Sequence, residues 1–320
     1  MTLTELRYIV AVAEKRHFGQ AAEACHVSQP TLSVAVKRLE EDLGVTLFER
    51  ARNEISLTAV GERVVAQAQR ALAEAAAVRE VATASRDQLG DPLRLGAIYT
   101  IGPYLLPQLI PEVRNRAPQM QLLISENYTH ELRARLRNGE LDAILVALPF
   151  DEPGIETLPL YHEPFMVLLP TSHPLSARQE LDKQDLDEET VLLLGPGHCF
   201  RDQVLDACPG CAHESDTQPG LQKSLEGASL ETIRMMVSSG VGVTVLPCSA
   251  TAVSQGDRLV TLRRFASPVP GRDVALAWRK SFPRPRAIAT IAESIRHAPM
   301  SCVSKFSDTT LPDTPTSLLP

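Results

Sequence analysis

The sequence predicts two folded parts joined by one long helix: an N-terminal all-α part that ends in a short hairpin, and a C-terminal α/β part. Residues 1–57 show short helical patterns with tight turns, and residues 58–88 form one Ala-rich stretch. Residues 91–298 alternate strand-like runs with helical patterns. Residues 299–320 are rich in Pro, Ser and Thr without a period, so we expect a disordered tail. The length of 320 residues agrees with more than one domain.

The composition is that of a globular protein, with 44% apolar and 22% charged residues. No apolar run approaches the roughly 18 residues that a membrane helix needs. Charged residues such as Glu5 and Lys15 lie close around the first apolar stretch, which is atypical of a signal peptide. We therefore expect a cytoplasmic protein without membrane contacts. The net charge of −7 excludes a globally basic nucleic-acid binder, so any DNA contact must come from local placement.

The first three helices are predicted by their capping residues. Thr2 and Glu5 have the spacing of a capping box at the start of the first helix. A second short helix is expected from about Gly19 to Cys25. Ser28 is a good N-cap for a third helix, which Gly44 ends.

Two short helices joined by a tight turn indicate a helix-turn-helix, and its second helix carries small polar groups on its outer face. Gln and Ser near the start of such a helix reach base edges, and an outward Val contacts a thymine methyl. Residues 47–57 predict a hairpin wing with basic residues near its tip for phosphate or minor-groove contact. A small helical bundle with a solvated polar face remains the alternative. The candidate DNA-binding residues are Gln29, Pro30, Thr31, Ser33, Val34, Lys37, Arg50 and Arg52.

The Ala-rich stretch predicts a dimerising linker helix, because its apolar residues are spaced by alternate steps of three and four. Thr58 is its expected N-cap, and the helix would be roughly 45 Å long. A lone amphipathic linker is the alternative. The seam residues are Val64, Ala68, Ala71, Ala75, Val78 and Ala82.

The C-terminal part predicts parallel sheets with ligands at the strand ends, because its strands alternate with helices. Thr100 and Thr129 each fall on a turn from a strand into a helix. They are candidate ligand-binding residues, and the alternative is that both are simple N-caps.

The run AAEACHVSQPTLSVAVKRLEEDLGVTLFER resembles the signature of LysR-type transcriptional regulators. The resemblance covers nearly the whole chain. It implies a winged helix-turn-helix, a linker helix and a two-subdomain sensor like the periplasmic binding proteins. Within that family, GPGHCFRDQVLDAC followed by SLETIRMMVSSGVGVTVLP is similar to the hydrogen peroxide-sensing members.

Cys199 follows a Gly-Pro-Gly loop and is expected at the start of a short helix. Exposed N–H groups and the helix dipole stabilise a thiolate there, and Arg201 and a protonated His198 would act in the same direction. A thiolate attacks peroxide and becomes sulfenic acid. The resemblance implies that Thr100 and Thr129 hydrogen-bond the peroxide oxygens.

Cys208 lies nine residues after Cys199, so a helix between them would separate the two thiols by about 13 Å. A disulfide needs Cα atoms within roughly 7 Å. If both statements hold, a Cys199–Cys208 disulfide requires the helix to unwind. The resemblance implies that this disulfide is the activating step.

The remaining cysteines are expected to be reduced thiols. Cys25 and Cys248 are interpreted as buried residues and Cys302 as part of the tail. Cys208, Cys211 and His213 have the spacing of a partial zinc site, but a complete ligand set is not evident, so we expect no metal.

The resemblance also implies an arginine that lines the sensor pocket. Arg272 falls near that position, with Asp273 as the competing choice, whereas Arg279 is interpreted as structural.

Together these observations favour a peroxide-sensing transcription factor that binds promoter DNA and recruits RNA polymerase, with no cofactor and no enzymatic activity. The linker seam indicates a dimer, and the resemblance implies a tetramer. Two alternatives remain: a regulator that responds to a small metabolite, and a thiol peroxidase.

Overall fold

The computed structural model describes residues 1–50, 55–84, 88–212, 229–254 and 258–306. The chain folds as two compact units, an N-terminal one and a C-terminal one, and the sequence passes from the first to the second at about residue 86. No helix within the described ranges is long and apolar enough to cross a membrane. Several residues named above lie outside the described residues: Arg52, His213 and residues 307–320. For Arg50, Ala82 and Cys211, only the backbone is described.

The N-terminal unit is a winged helix-turn-helix, as predicted. Its elements are α1 (Leu3–Lys15), α2 (Phe18–Ala24), α3 (Gln29–Leu43), β1 (Phe48–Arg50) and β2 (Ile55–Leu57). The capping box of Thr2 and Glu5 is formed, and the Ser28 hydroxyl accepts the N–H of Thr31 at the start of α3. Gly44 ends α3 with a φ of 68°, a left-handed conformation that favours glycine. The helical caps therefore fix these boundaries locally.

The linker helix α4 (Ala59–Ala84) begins where the sequence predicts, because the Thr58 hydroxyl accepts the N–H of Gly61. The first half of its seam packs against the core of its own unit and is covered by α1. In this half of the seam, Ala68 is buried in that core, and Val64 and Ala71 are partly buried against it. Val78, further along, is 70% exposed.

The C-terminal unit contains the remaining strands and helices. In order they are β3 (Leu93–Ile98), α5 (Gly102–Arg116), β4 (Leu122–Asn127), α6 (Thr129–Arg137), β5 (Ala143–Ala147), β6 (Ile155–Pro170), β7 (Glu180–Leu181), β8 (Val191–Leu192), α7 (Cys199–Ala207), α8 (Leu230–Ser238), β9 (Val243–Pro247), β10 (Val260–Phe265), β11 (Gly271–Arg279), α9 (Pro285–His297) and β12 (Ser304–Lys305).

The sheet order is β4-β3-β5-β11-β6-β10-β7, and β9 and β12 also pair with β6. Strand β3 is parallel to β4 and β5, whereas β9, β10 and β11 run antiparallel to β6. The expectation of parallel sheets is therefore right for β4-β3-β5 and wrong around β6. The strands β9, β10 and β11 come late in the sequence and pair with the long strand β6. The alternation of strands and helices along the sequence does not reveal this pairing.

Strand β6 joins two hydrophobic cores, because Tyr161 lies in the first core and Phe165 in the second. The first core is formed around β3, β5, β11, α5 and α9, and the second around β9, β10, α7 and α8. The C-terminal unit is thus an α/β fold of two subdomains, as the resemblance implied.

The C-terminal segment is ordered further than the sequence predicts. Ser304 and Lys305 pair with β6, and Met300 and Val303 pack against the first core. Cys302 forms a disulfide with Cys248. The expectations of disorder from residue 299 and of reduced thiols at these two cysteines are therefore wrong. The segment 299–306 contains enough apolar side chains to bury and a strand partner to pair with.

Candidate functional site

Cys199 is the first residue of α7, as the sequence predicts. Gly197 turns the chain into this helix with a φ of 93°, which a side chain would oppose. Cys199 is a free, partly buried thiol that packs against the first core, while the next residue, Phe200, lies in the second core. The thiol therefore sits at the boundary between the two subdomains.

Cys199 lines a cavity of about 10 Å³, close to the volume that one water molecule occupies. Four of the predicted site residues meet here: Thr100, Thr129, His198 and Cys199. The other lining residues are Ile98, Tyr99, Asn127, Tyr128 and Gly197. The ends of β3 and β4 and the start of α7 together form this cavity.

Two polar atoms at the cavity are buried without a hydrogen-bond partner within the described part of the chain: Oγ1 of Thr129 and Nε2 of His198. The Thr100 hydroxyl accepts a bond of 2.8 Å from Arg272. Neither threonine is an N-cap, because Ile101 precedes α5 and Thr129 lies within α6. Buried polar atoms without partners are rare in folded proteins, and these two point to a small polar ligand.

Arg272 is fully buried and binds both the hydroxyl and the carbonyl oxygen of Thr100 at 2.8 Å. Its charge is balanced by Glu163, also fully buried, whose Oε2 accepts from Nε at 2.8 Å. The guanidinium lies 5.1 Å from the ring centre of Phe200, in the geometry of a cation–π contact. Asp273, the competing choice, instead binds His162 at 2.7 Å. Neither Arg272 nor Asp273 is among the residues that line the cavity, and Arg272 contacts the cavity wall through Thr100.

Burial lowers the pKa of the His198 imidazole, which disfavours its charged form. Burial therefore opposes the protonation on which the predicted contribution of His198 to the thiolate depends. The centre of the His198 ring lies 4.8 Å from the ring centre of Tyr128 and 6.0 Å from that of Tyr99. The three rings enclose the cavity. Arg201 donates to the carbonyl of Leu194 at 2.8 Å and is not among the residues that line the cavity.

Cys208 lies at the opposite end of α7 and is buried in the second core. The nine-residue helix between the two cysteines is fully wound, which corresponds to about 13 Å along its axis. Neither cysteine forms a disulfide in this conformation. The two sulfurs therefore cannot bond unless α7 unwinds.

The candidate DNA-binding face of α3 is solvent-exposed. Val34 is 67% exposed, and Lys37 pairs with Glu41 across one helical turn at 3.8 Å. Leu32, Val36 and Leu39 form the buried face. The remaining candidates on this helix, Gln29, Pro30 and Thr31, are exposed, and Ser33 is half-buried. The two arginines predicted at the wing tip lie at the edge of the described residues or beyond it.

Several residues near the site were not identified by the sequence analysis. Tyr99, Asn127 and Tyr128 line the cavity, and Glu163 anchors Arg272. The dipeptide Tyr-Thr occurs at both strand-to-helix turns, at 99–100 and 128–129, a repeated signal that could have identified the two tyrosines. Glu163 lies 109 residues from Arg272 and has no comparable signal.

The residues outside the cavity have other surroundings. Arg279 is buried and donates to the carbonyls of Leu136 and Leu141. Cys25 is half-buried at the C-cap of α2, and burial raises the pKa of its thiol. No group of three or more His, Cys, Asp or Glu side chains in the described ranges is arranged to hold a metal.

A winged helix-turn-helix, a linker helix and a two-subdomain sensor with a cavity at the subdomain boundary define a ligand-responsive or redox-responsive DNA-binding regulator. Residues 3–62 match the family of bacterial regulatory helix-turn-helix proteins of the lysR family, and residues 86–299 match the LysR substrate binding domain. The chain belongs to the LysR family.

The similar proteins include OxyR proteins from several bacteria. The chain is 36% identical over 296 residues to the DNA-binding transcriptional dual regulator OxyR of Escherichia coli, which covers 92% of this chain and 95% of that one. It is 56% identical to a full-length OxyR variant from Pseudomonas aeruginosa, with a TM-score of 0.73 and coverage of 93% and 96%. It is 33% identical to a hydrogen peroxide-bound OxyR mutant from Corynebacterium glutamicum, with a TM-score of 0.62 and coverage of 93% and 92%.

Proposed function

We propose that this chain is a hydrogen peroxide-sensing transcriptional regulator in which Cys199 is the reacting thiol and Cys208 the resolving thiol. The main support for this proposal is the cavity around Cys199. It combines a thiol at a helix N-terminus with two buried polar atoms that lack a hydrogen-bond partner within the described residues. The similarity to OxyR proteins, one of them with hydrogen peroxide bound, supports the same ligand.

The first step is attack of the Cys199 thiolate on one peroxide oxygen. The S–O bond forms as the O–O bond breaks, and the departing hydroxide takes up a proton and leaves as water. Thr100 and Thr129 supply hydroxyl groups to the reacting oxygens. Arg272 already donates into the Thr100 oxygen, so the hydroxyl proton of Thr100 is available to the leaving oxygen. The N–H groups of the first turn of α7 stabilise the anionic sulfur.

The second step is attack of the Cys208 thiolate on the sulfur of the Cys199 sulfenic acid. The S–S bond forms, the S–O bond breaks, and hydroxide leaves as water after protonation. Because α7 must unwind first, the disulfide stabilises a second conformation of the sensor. We propose that this change alters how a cytoplasmic dimer or tetramer engages promoter DNA and RNA polymerase.

The size of the cavity disfavours the metabolite-responsive alternative. Sites for small organic ligands usually enclose about 300–1000 Å³, far more than the cavity beside Cys199. Peroxide has only two oxygen atoms and could be admitted by a small shift of the aromatic rings. The DNA-binding unit disfavours a thiol peroxidase, which has no use for it, so we propose that the chain is not an enzyme.

The test compares Cys199→Ser, Cys208→Ser and Cys25→Ser in the full chain. Each protein receives stoichiometric peroxide and is followed by peptide mapping and by footprinting on a promoter fragment that the unmodified protein binds. We expect Cys199→Ser to abolish oxidation and the footprint change while DNA binding persists. Cys208→Ser should stop at the sulfenic acid, and Cys25→Ser should respond normally. A full response from Cys199→Ser would refute the mechanism.

A further inference from the structure

A second pair of cysteines, Cys248 and Cys302, is bonded in this structure, with Cα atoms 6.0 Å apart. We propose that this pair is a second thiol–disulfide site, which clamps the two subdomains together and holds the Cys199 cavity in its reactive geometry. The existence of the second site is independent of the proposed function. Its effect on Cys199 rests on that function.

The disulfide connects the two subdomains covalently. Cys248 directly follows β9, and Cys302 lies in the segment between α9 and β12. The flanking residues that pack with the second core are Leu246 and Ala250, and those that pack with the first core are Met300 and Val303. Breaking the bond therefore releases a link between the cores while leaving each core intact.

A chain of hydrogen bonds leads from this disulfide to the Cys199 cavity. The N–H of Ser249, next to Cys248, donates to Oε1 of Glu163 at 3.1 Å. Oε2 of Glu163 accepts from Arg272, which in turn donates to the Thr100 hydroxyl. Both charged side chains are fully buried, so each partner is needed to hold them in place. The position of Ser249 thus bears on the position of Thr100.

The disulfide is accessible to exchange from one side. Cys302 is exposed, whereas Cys248 is buried. A cavity of about 120 Å³ lies against both cysteines and includes Tyr104 and Ser249 in its wall. An incoming thiolate therefore has access to the sulfur of Cys302, with the sulfur of Cys248 as the group that leaves.

The reaction requires a low-molecular-weight disulfide such as glutathione disulfide. The Cys302 thiolate attacks it and releases one thiolate, and the Cys248 thiolate then attacks the mixed disulfide at Cys302 and releases the second. The two protein thiols lose two electrons and two protons, which the small disulfide and the solvent accept. Two small thiolates reverse both steps.

The first experiment titrates the full chain in buffers of reduced and oxidised glutathione, traps free thiols by alkylation and maps the peptides. The titration is carried out in the Cys199→Ser variant, so that the Cys199–Cys208 disulfide cannot form. We expect Cys248 and Cys302 to pass together from alkylated thiols to a linked peptide as the oxidised fraction rises. Separate alkylation of both at the most oxidising ratio, or pairing of either with another cysteine, would overturn the proposal.

The second experiment measures how fast peroxide converts Cys199 to sulfenic acid in the Cys208→Ser background. Addition of Cys302→Ser should slow this reaction about fivefold. This factor corresponds to the free energy of about one hydrogen bond, which we expect to be lost when Thr100 is held less firmly. Addition of Cys25→Ser, the matched control, should not change the rate. Because Cys302 is exposed, its substitution is not expected to unfold the chain. Equal rates with and without Cys302→Ser would overturn the coupling.

The two experiments separate the two proposals. If Cys199 does not react with peroxide while Cys248 and Cys302 still titrate as a pair, the proposed function and the coupling fail and the second site stands. If Cys199 reacts but the pair never links, the second site fails and the proposed function stands.

Discussion

The Thr100 hydroxyl has a defined hydrogen-bond direction because one side of its oxygen is already occupied. Arg272 donates to this oxygen and to the carbonyl of the same residue, so the threonine is fixed in position. A hydroxyl that accepts from a cation becomes a stronger donor through its own proton. This arrangement suits a group that must stabilise negative charge on a departing oxygen.

We predict that Thr100→Val slows sulfenic acid formation at Cys199 roughly tenfold. Valine retains the shape but removes the hydroxyl, and a hydrogen bond to developing charge contributes about 1.5 kcal/mol. The measurement is the rate of peroxide consumption in single turnover, in the Cys208→Ser background. Thr100→Ser retains the hydroxyl and serves as the control. Equal rates for the valine and serine variants would show that the hydroxyl takes no part.

Helix α7 is the element whose stability opposes disulfide formation. Cys199 and Cys208 lie at its two ends, and its buried residues, Phe200 and Val204, anchor it to the second core. Any substitution that changes the helical propensity at an exposed position of α7 should change the rate of the second oxidation step without affecting the first. Asp206 offers such a position, because it is exposed and makes no contact with the cavity.

We predict that Asp206→Gly forms the Cys199–Cys208 disulfide about fivefold faster than Asp206→Ala. Both variants lack the carboxylate, so they differ only in helical propensity, by about 1 kcal/mol. The rate of sulfenic acid formation should be the same in both. Quenching the reaction at intervals and alkylating the remaining thiols measures both steps. If the two variants close the disulfide at equal rates, α7 does not unwind before the bond forms.

The helices and their boundaries were predictable from the sequence wherever the residues that define them lie close together in the chain. Ser28, Gly44 and Thr58 cap their helices within a few residues, and the loop before Cys199 marks the start of α7. The return of β11 and β12 onto β6 was not predictable, because the antiparallel pairing joins residues more than 100 positions apart. A single sequence contains no local signal for such contacts.

The site was predictable in part for the same reason. Thr100, Thr129 and Cys199 were singled out because each follows a recognisable strand or loop. The Cys248–Cys302 bond joins residues 54 positions apart and was missed, since spacing alone does not determine which cysteines meet. The lowered pKa of His198 was not predictable because it depends on burial, which only the folded sensor provides.

Across the whole molecule, the sensor can affect transcription only if DNA-binding units act together, since paired half-sites require paired readers. The first half of the α4 seam packs within its own unit, so we expect self-association to use the second half. Val78 lies on that half at the heptad spacing, and as a largely exposed valine it offers apolar surface for a second copy.

We predict that Val78→Glu weakens self-association of the full chain by about tenfold or more. Burying one valine contributes about 1.5 kcal/mol, and a symmetric interface loses this twice and brings two carboxylates together. Sedimentation velocity over a range of concentrations measures the dissociation. Arg63→Gln, at an exposed position of α4 off the seam, lowers the charge by the same amount and should leave association unchanged. If Val78→Glu associates as strongly as the unmodified chain, the dimer contact lies elsewhere. In promoter footprinting, we expect Val78→Glu to bind more weakly than Arg63→Gln.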